Sequence, residues 1–189
     1  MADGIARREL ILGGQRSGKS RRAETLARQW LQGAPGRRAV LVATGQAWDD
    51  EMRERIERHQ RERAVRVPGL LTVEEPLALG EALRAHGDAN TLLVVDCLTL
   101  WLTHLMMPAQ GPARDTEAPR RALLHALGDA TGPLVLVGNE IGLGVIPLGR
   151  ETRAFVDALG ALNQAVAGVC ERVTFMAAGL PLILKDTSE

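Results

Sequence analysis

The sequence predicts an α/β fold, in which a mostly parallel sheet is flanked by helices and ends in a C-terminal hairpin or edge strands. Short apolar runs alternate with segments of helical period, which is typical of parallel strands joined by crossover helices. The chain has 189 residues and 46% hydrophobic content, enough to bury a substantial core. This length favours a single domain that spans residues 1–189.

The first part of the chain contains two units of strand followed by helix. Residues 10–12 form the first predicted strand, and a glycine-rich turn leads from it into a helix. The apolar residues of that helix recur at helical spacing: Ala23, Leu26, Ala27, Trp30 and Leu31. Residues 39–43 form the second predicted strand. The charged helix after it is expected to be capped near Asp49 and to end near Arg63.

The middle of the chain repeats this pattern twice. Residues 91–95 form a strand that ends on Asp96 and enters an apolar helix containing Leu98, Trp101, Leu102 and Leu105. Residues 108–119 are rich in proline, glycine and charge, so this segment is the predicted linker. Residues 134–137 form the next strand, and Asn139 and Glu140 lie just beyond its carboxyl end.

The last part of the chain carries the clearest helical pattern. Its apolar stripe consists of Phe155, Leu159, Leu162, Val166 and Val169. Such a stripe usually packs on a sheet, so we assign it to the core and give it no catalytic role. Residues 173–177 and 181–184 flank Gly179, which predicts a hairpin or two edge strands.

The charge composition of the chain excludes some classes of binding partner. Lysine plus arginine equals aspartate plus glutamate at 23 each, so we expect no nucleic-acid partner and no anionic membrane surface as partner. No run of 18 apolar residues is present and the first residues lack an apolar core, so we expect no membrane span and a cytoplasmic protein. Cys97 and Cys170 lack metal-ligand spacing and are expected to be buried as small apolar residues.

One motif indicates a phosphate site. The segment GGQRSGKS fits G-x-x-x-x-G-K-[ST] and lies between a predicted strand and a predicted helix, as a P-loop does. Backbone N–H groups of such a loop converge on phosphates, Lys19 reaches the β- and γ-phosphates, and Ser20 binds Mg²⁺. The alternative is a chance glycine turn before a helix. The predicted phosphate-binding residues are Gly13, Gly14, Gln15, Arg16, Ser17, Gly18, Lys19 and Ser20.

Asp96 is a second candidate for binding the nucleotide and its metal. It ends an apolar strand, where the Walker B carboxylate of P-loop enzymes holds Mg²⁺ directly or through water. An aspartate at that position can equally cap the following helix. Position alone leaves both roles open.

Further motifs, spread over almost the whole chain, resemble those of a known family. The segments DDEMRERIERH and GNEIGLGVIP, with GGQRSGKS before them, resemble the adenosylcobinamide kinase / adenosylcobinamide-phosphate guanylyltransferase family. The resemblance implies a RecA-like P-loop fold, a homotrimer, and ATP and GTP as substrates. It implies phosphorylation of adenosylcobinamide, then transfer of GMP from GTP to that phosphate, giving adenosylcobinamide-GDP.

His59 is the nucleophile that the resemblance implies, because it ends the segment DDEMRERIERH. A neutral imidazole can attack the α-phosphorus of GTP and expel pyrophosphate, which divides one difficult transfer into two easier ones. Lys19 and Mg²⁺ would stabilise the charge on the leaving phosphates. Without the resemblance, the spacing from Met52 and Ile56 favours a partly buried structural histidine.

The resemblance also implies further contacts to the guanine nucleotide. These residues are Ala43, Thr44, Gly45, Gln60, Arg61, Glu62, Arg63 and Glu74. For Arg61 and Arg63 the alternative is a solvated helix face. Asn139, Glu140, Arg150 and Arg153 are candidates for contacts to substrate or phosphate. Two other functions stay open, a P-loop kinase without guanylyl transfer and a nucleotide switch without catalysis.

Overall fold

Residues 4–47 and 50–187 are described in the computed structural model, and they form one sheet of seven strands with helices on both faces. The strands are β1 (Arg8–Gly13), β2 (Arg38–Ala43), β3 (Leu70–Glu74), β4 (Thr91–Asp96), β5 (Leu134–Val137), β6 (Arg172–Ala177) and β7 (Leu180–Asp186). The helices are α1 (Lys19–Gly33), α2 (Asp50–Arg66), α3 (Leu79–His86), α4 (Leu98–Met106), α5 (Glu117–Asp129) and α6 (Arg150–Val169).

The strand order is β3-β2-β4-β5-β1-β6-β7. All neighbouring pairs from β3 to β6 are parallel, and β7 pairs with β6 antiparallel. Because β5 lies between β1 and β4, the strand before the P-loop is separated from the strand that ends on Asp96. The predicted α/β class, the RecA-like arrangement and the C-terminal edge hairpin are therefore confirmed.

The alternation of strand residues divides the core into two layers. In β1, Leu10 and Leu12 contact the layer that contains the buried residues of α3, α4, α5 and α6. Ile11, between them, contacts the opposite layer, which contains α1 and Val67. The predicted stripe on α6 packs as expected, since Phe155, Leu159, Leu162 and Val166 are all buried, while Val169 is half-buried.

The structure also contains elements that the sequence patterns did not indicate. β3 and α3 lie in a segment for which no element was predicted, and α2 continues to Arg66 rather than ending near Arg63. The linker prediction was too long, because α5 begins at Glu117. Asp115 accepts hydrogen bonds from the N–H groups of Glu117 and Ala118, and a proline in the first helical turn costs no hydrogen bond. The expected cap at Asp49 lies outside the described residues.

A matched pair of substitutions tests the core assignment. Val166 is 0% exposed and Val65 is 82% exposed, and both lie near the C-terminal end of a helix. Val166→Ala is expected to lower the free energy of unfolding by about 2 kcal/mol more than Val65→Ala, because only Val166 loses buried methyl groups. Urea denaturation of both variants measures the difference. Equal effects would contradict the packing of α6 on the sheet.

Candidate active site

The carboxyl ends of the parallel strands meet at one edge of the sheet. Ala43 at the end of β2 pairs with Glu74 of β3 on one side and with Asp96 of β4 on the other. Asp96 in turn pairs with Val137 at the end of β5. Open α/β sheets place ligands at this edge. The register therefore brings residues from distant parts of the sequence to the start of α1.

The P-loop conformation depends on two glycines. Gly13 has a φ of 150°, and a Cβ there would lie 2.4 Å from the carbonyl oxygen of Met176 on β6. Gly18 has a φ of 100° and precedes α1, whose N-terminus receives no side-chain cap. The first N–H groups of α1 are thus available for an anion, as a phosphate site at a helix N-terminus requires.

Lys19 and Gly14 make the main contact inside the P-loop. Lys19 is buried, and its Nζ donates to the carbonyl oxygen of Gly14 over 2.6 Å. Burial lowers the pKa of Lys19 below its usual value, and the charge of Asp96 opposes this shift. The ammonium is therefore held over the loop, where it can meet phosphate oxygens.

Asp96 and Ser20 supply two neighbouring oxygen atoms. Burial raises the pKa of Asp96, and this is opposed by a hydrogen bond from Ser20 and by the charges of Arg63 and His59. The helix cap at this point is Cys97, whose Sγ accepts from the N–H of Leu100 over 3.5 Å. Cys97 therefore caps this helix in place of Asp96. The carboxylate of Asp96 lines the cavity.

Ser20 and Asp96 suit Mg²⁺ better than a metal held by protein ligands alone. Among residues 4–47 and 50–187, no group of three or more His, Cys, Asp or Glu could hold a metal ion. Mg²⁺ commonly uses one or two protein oxygens and completes its shell with phosphate and water. The donor set at Ser20 and Asp96 fits that pattern.

Thr44 supports Asp96 from within the protein. It is 0% exposed, and its Oγ1 donates to the carbonyl oxygen of Cys97 over 2.7 Å and accepts from the N–H of Cys97 over 2.8 Å. Its own N–H donates to the carbonyl oxygen of Asp96, and its carbonyl oxygen accepts from Nε2 of the buried His104. All polar atoms of Thr44 are thus engaged within the protein, and the residue does not line the cavity.

Removing the Thr44 hydroxyl is expected to destabilise this end of β4. Thr44→Val leaves the buried N–H of Cys97 without its acceptor, at a cost of about 1–3 kcal/mol, whereas the carbonyl oxygen of Cys97 still accepts from the N–H of Trp101 over 3.2 Å. Thr44→Ser keeps the hydroxyl and is the matched control. Urea denaturation should show a large decrease in the free energy of unfolding for Thr44→Val and a small decrease for Thr44→Ser. A valine variant as stable as the native protein would contradict this role.

The face of α2 that carries His59 forms one wall of the cavity that the P-loop also lines. His59 is half-buried and lines the cavity together with Gln60 and Arg63. Arg61 and Glu62 are exposed and do not line it; they pair along the helix with Glu57 and Arg66. The structure therefore brings only part of the predicted segment 60–63 to the site.

The cavity has a volume of about 830 Å³ and unites most of the predicted site. The predicted residues that line it are Gln15, Arg16, Ser17, Gly18, Lys19, Ser20, Ala43, Gly45, His59, Gln60, Arg63, Glu74 and Asp96. Gly13 and Gly14 shape the loop without lining the cavity. A smaller cavity of about 510 Å³ adjoins it and shares Gly45, Gln60 and Glu74.

Several lining residues were not predicted. They are Arg21, Glu54, Ile56, Arg58, Thr72, Cys97, Leu100 and Val137. Thr72 lies two residues before Glu74 on β3, so the two side chains share a face of the strand. Predicting a strand over residues 72–74 would have placed Thr72 at the site. Glu54 and Arg58 lie within the segment DDEMRERIERH, but no spacing or residue type distinguishes them from its other charged residues.

Asn139 lines the cavity, and two polar side chains hold its backbone in place. Its N–H donates to Oγ1 of Thr99 over 2.8 Å, and its carbonyl oxygen accepts from Nδ2 of the buried Asn163 over 3.1 Å. Glu140 does not line the cavity, but its N–H donates to the carbonyl oxygen of Gly13. This loop is therefore attached directly to the P-loop.

The other candidate residues lie outside the cavity. Arg153 donates to the carbonyl oxygens of Pro147 and Leu148 and holds the end of the loop before α6, and Arg150 is exposed. His86 and His125 are also exposed. Cys97 and Cys170 are buried as expected, and burial raises the pKa of the two thiols to about 11 and about 12.

Comparison with known proteins gives concordant matches. A family model described as cobinamide kinase / cobinamide phosphate guanyltransferase matches residues 9–184. The bifunctional adenosylcobalamin biosynthesis protein CobP of Pseudomonas aeruginosa is 51% identical over 178 residues, which cover 94% of this chain and 97% of that protein. The bifunctional adenosylcobalamin biosynthesis protein CobU of Escherichia coli is 33% identical over 187 residues, with 93% and 98% covered.

A solved structure is similar at the level of the fold alone. The flagellar accessory protein FlaH from Methanocaldococcus jannaschii aligns with a TM-score of 0.55 at 13% identity. The alignment covers 98% of this chain and 81% of that one.

Proposed function

Because the chain belongs to the cobinamide kinase / cobinamide phosphate guanyltransferase family, we propose that this one cavity serves both reactions of a bifunctional enzyme of cobalamin biosynthesis. The enzyme phosphorylates adenosylcobinamide with a nucleoside triphosphate and then transfers GMP from GTP to the product, giving adenosylcobinamide-GDP. The observation that carries the proposal is the position of His59, which lines the same cavity as the P-loop.

The kinase step uses the P-loop end of the cavity. The aminopropanol hydroxyl of adenosylcobinamide attacks the γ-phosphorus, the bond to the bridging oxygen breaks, and the nucleoside diphosphate leaves as the hydroxyl proton is released. Lys19 and the N–H groups at the start of α1 stabilise the charge on the transferring phosphoryl group. Ser20 and Asp96 would hold Mg²⁺, which neutralises phosphate charge when bound.

The guanylyl step uses His59. The neutral imidazole attacks the α-phosphorus of GTP, a phosphorus–nitrogen bond forms, and pyrophosphate leaves. A phosphate oxygen of adenosylcobinamide phosphate then attacks the same phosphorus, so that GMP is transferred and the imidazole is released. The buried guanidinium of Arg63 lies one turn after His59 on the cavity wall, where it can stabilise negative charge on the phosphates.

The remaining nucleotide contacts follow the length of the cavity. With the phosphates at the P-loop, we assign the nucleoside to the end formed by Ala43, Gly45, Gln60 and Glu74. Three of these residues also border the adjoining cavity, which gives the base further room. Thr44 does not contact the nucleotide in this assignment; it stabilises the backbone of Cys97 at the end of β4. Arg61 and Glu62 stay in ion pairs on the surface of α2.

We propose one domain over residues 1–189, acting in the cytoplasm as a homotrimer. Among the described residues, no helix has both the length and the apolar character needed to cross a bilayer. The exposed apolar side chains of β7, which include Leu180, Leu182 and Leu184, support an oligomer because such surface is usually covered by a partner. Light scattering coupled to gel filtration tests the trimer.

The test of the proposed function is a pair of assays on the purified protein. Adenosylcobinamide incubated with a γ-labelled nucleoside triphosphate and Mg²⁺ should acquire the label. Adding α-labelled GTP should convert the phosphorylated product into labelled adenosylcobinamide-GDP with release of pyrophosphate. Phosphorylation without any conversion would instead support a kinase that lacks guanylyl transfer.

A further inference from the structure

Glu24 forms a buried ionic contact between the P-loop helix and the helix that carries His59. It lies one turn after Ser20 on α1 and is 5% exposed. Its Oε2 accepts from Nε of Arg66 over 2.7 Å, and its Oε1 accepts from Nη2 of Arg66 over 3.3 Å. Nε of Arg63 lies 3.6 Å from Oε1. One carboxylate of α1 therefore faces two guanidinium groups of α2.

This contact matters because α2 has little apolar surface to hold it in place. Among the residues of α2 whose exposure is described, Arg63 is the one that is buried. Val67, just beyond the helix, adds the apolar contact at that end, since it packs in the core layer of α1. Most helices are positioned by an apolar face packed on the core. The pairing of Arg63 and Arg66 with Glu24 therefore joins the C-terminal end of α2 to α1, beside the apolar contact of Val67.

The geometry points to Glu24 as a positioning residue for guanylyl transfer, an inference that rests on the function proposed above. His59 precedes Arg63 by one helical turn, so the contact that holds Arg63 and Arg66 also sets the position of the imidazole in the cavity. Lys19, Ser20 and Asp96 lie on α1 and β4 rather than on α2. Loss of the Glu24 carboxylate should therefore slow the chemistry of His59 much more than the kinase step.

The experiment compares two activities in Glu24→Gln. One is the rate of GMP attachment to the protein from α-labelled GTP; the other is phosphorylation of adenosylcobinamide. At saturating GTP the first rate is expected to fall about 10- to 100-fold, since small misplacements of reacting groups have effects of that size. The kinase rate should stay within about threefold of native, because its groups are not on α2. Glu24→Asp, which keeps the charge, should recover part of the lost rate.

Glu171→Gln is the matched control. It breaks a Glu–Arg pair with Arg8, in which Oε1 accepts from Nη2 over 2.6 Å, at the opposite end of β1 from the P-loop. Both of its activities should stay near native. If Glu24→Gln does not fold, Arg66→Gln replaces it, because Arg66 lies on the exposed side of the same contact. The same split between the two activities is then expected.

The outcomes separate this inference from the proposed function. A native protein that acquires no GMP would overturn the proposed function and this inference with it. A native protein that is labelled, with Glu24→Gln or Arg66→Gln labelled at the same rate, would overturn the positioning role alone. An equal fall in both activities would do so too, because it would indicate a general loss of structure.

Discussion

Replacing His59 by alanine is expected to abolish guanylyl transfer while phosphorylation of adenosylcobinamide continues near the native rate. In the proposed mechanism the imidazole attacks the α-phosphorus, so its removal should cost about three orders of magnitude or more in that reaction. The proposed kinase step uses the P-loop and Asp96, which lie on other elements of the same cavity. Steady-state rates of both reactions, measured on the same preparation, test this separation.

The control for His59 is His125→Ala. His125 is an exposed histidine on α5, outside the cavity, and its loss should change neither reaction. Equal loss of both activities in His59→Ala would indicate that the side chain supports the structure of the site. His59 would then be the partly buried structural histidine that its spacing from Met52 and Ile56 also predicts.

Replacing Lys19 by alanine is expected to impair both reactions, in contrast to His59→Ala. The ammonium of Lys19 contacts the P-loop at Gly14, and in the proposed mechanism it stabilises the charge that develops on the β- and γ-phosphates during either transfer. Loss of one such charge-stabilising group commonly costs about 10²–10³ in rate. Rates of phosphorylation and of GMP transfer should therefore fall together, which the same two assays measure.

The chain contains a second lysine that serves as control. Lys185 lies on β7, and its Nζ donates to the carbonyl oxygen of Ala167 over 2.9 Å, outside the cavity. Lys185→Ala should leave both rates close to native. A Lys19→Ala variant that retained native rates of phosphorylation would show that the loop does not bind the reacting phosphates.

Much of the sheet could be predicted because its strands are buried on both faces. β1, β2, β4 and β5 appear in the sequence as short apolar runs, and the stripe on α6 has the helical period. β3 escaped prediction because it lies at the edge of the sheet with several side chains exposed. α3 was missed although Leu79, Ala82 and Leu83 have helical spacing, because the pattern extends over only eight residues.

The position of the candidate site could be predicted where a sequence motif marks it. The motif places Lys19 and Ser20 at the start of α1, and they line the cavity; for Asp96 the sequence left two roles open, and the structure assigns the helix cap to Cys97. The contacts of Thr44 with Cys97 and His104 join residues more than fifty positions apart in the sequence. No local pattern could indicate them.

For residues 60–63, the sequence could not predict which side chains face the cavity. Gln60 and Arg63 line the cavity, whereas Arg61 and Glu62 point to other sides of the helix. With about 3.6 residues per turn, a contiguous helical segment cannot present all its side chains to one ligand. The orientation of α2 could not be inferred because the helix has few apolar residues, and Glu24, which contacts two of its arginines, lies on another element.

The most direct test of the account is to locate the GMP on the protein. The purified protein is incubated with GTP and Mg²⁺ in the absence of any cobinamide, and its peptides are then mapped by mass spectrometry under alkaline conditions that preserve a phosphorus–nitrogen bond. The guanylyl-histidine mechanism predicts one GMP moiety on the peptide that contains His59, and none in His59→Ala. GMP attached at another residue, or an unmodified native protein, would contradict the guanylyl-histidine mechanism.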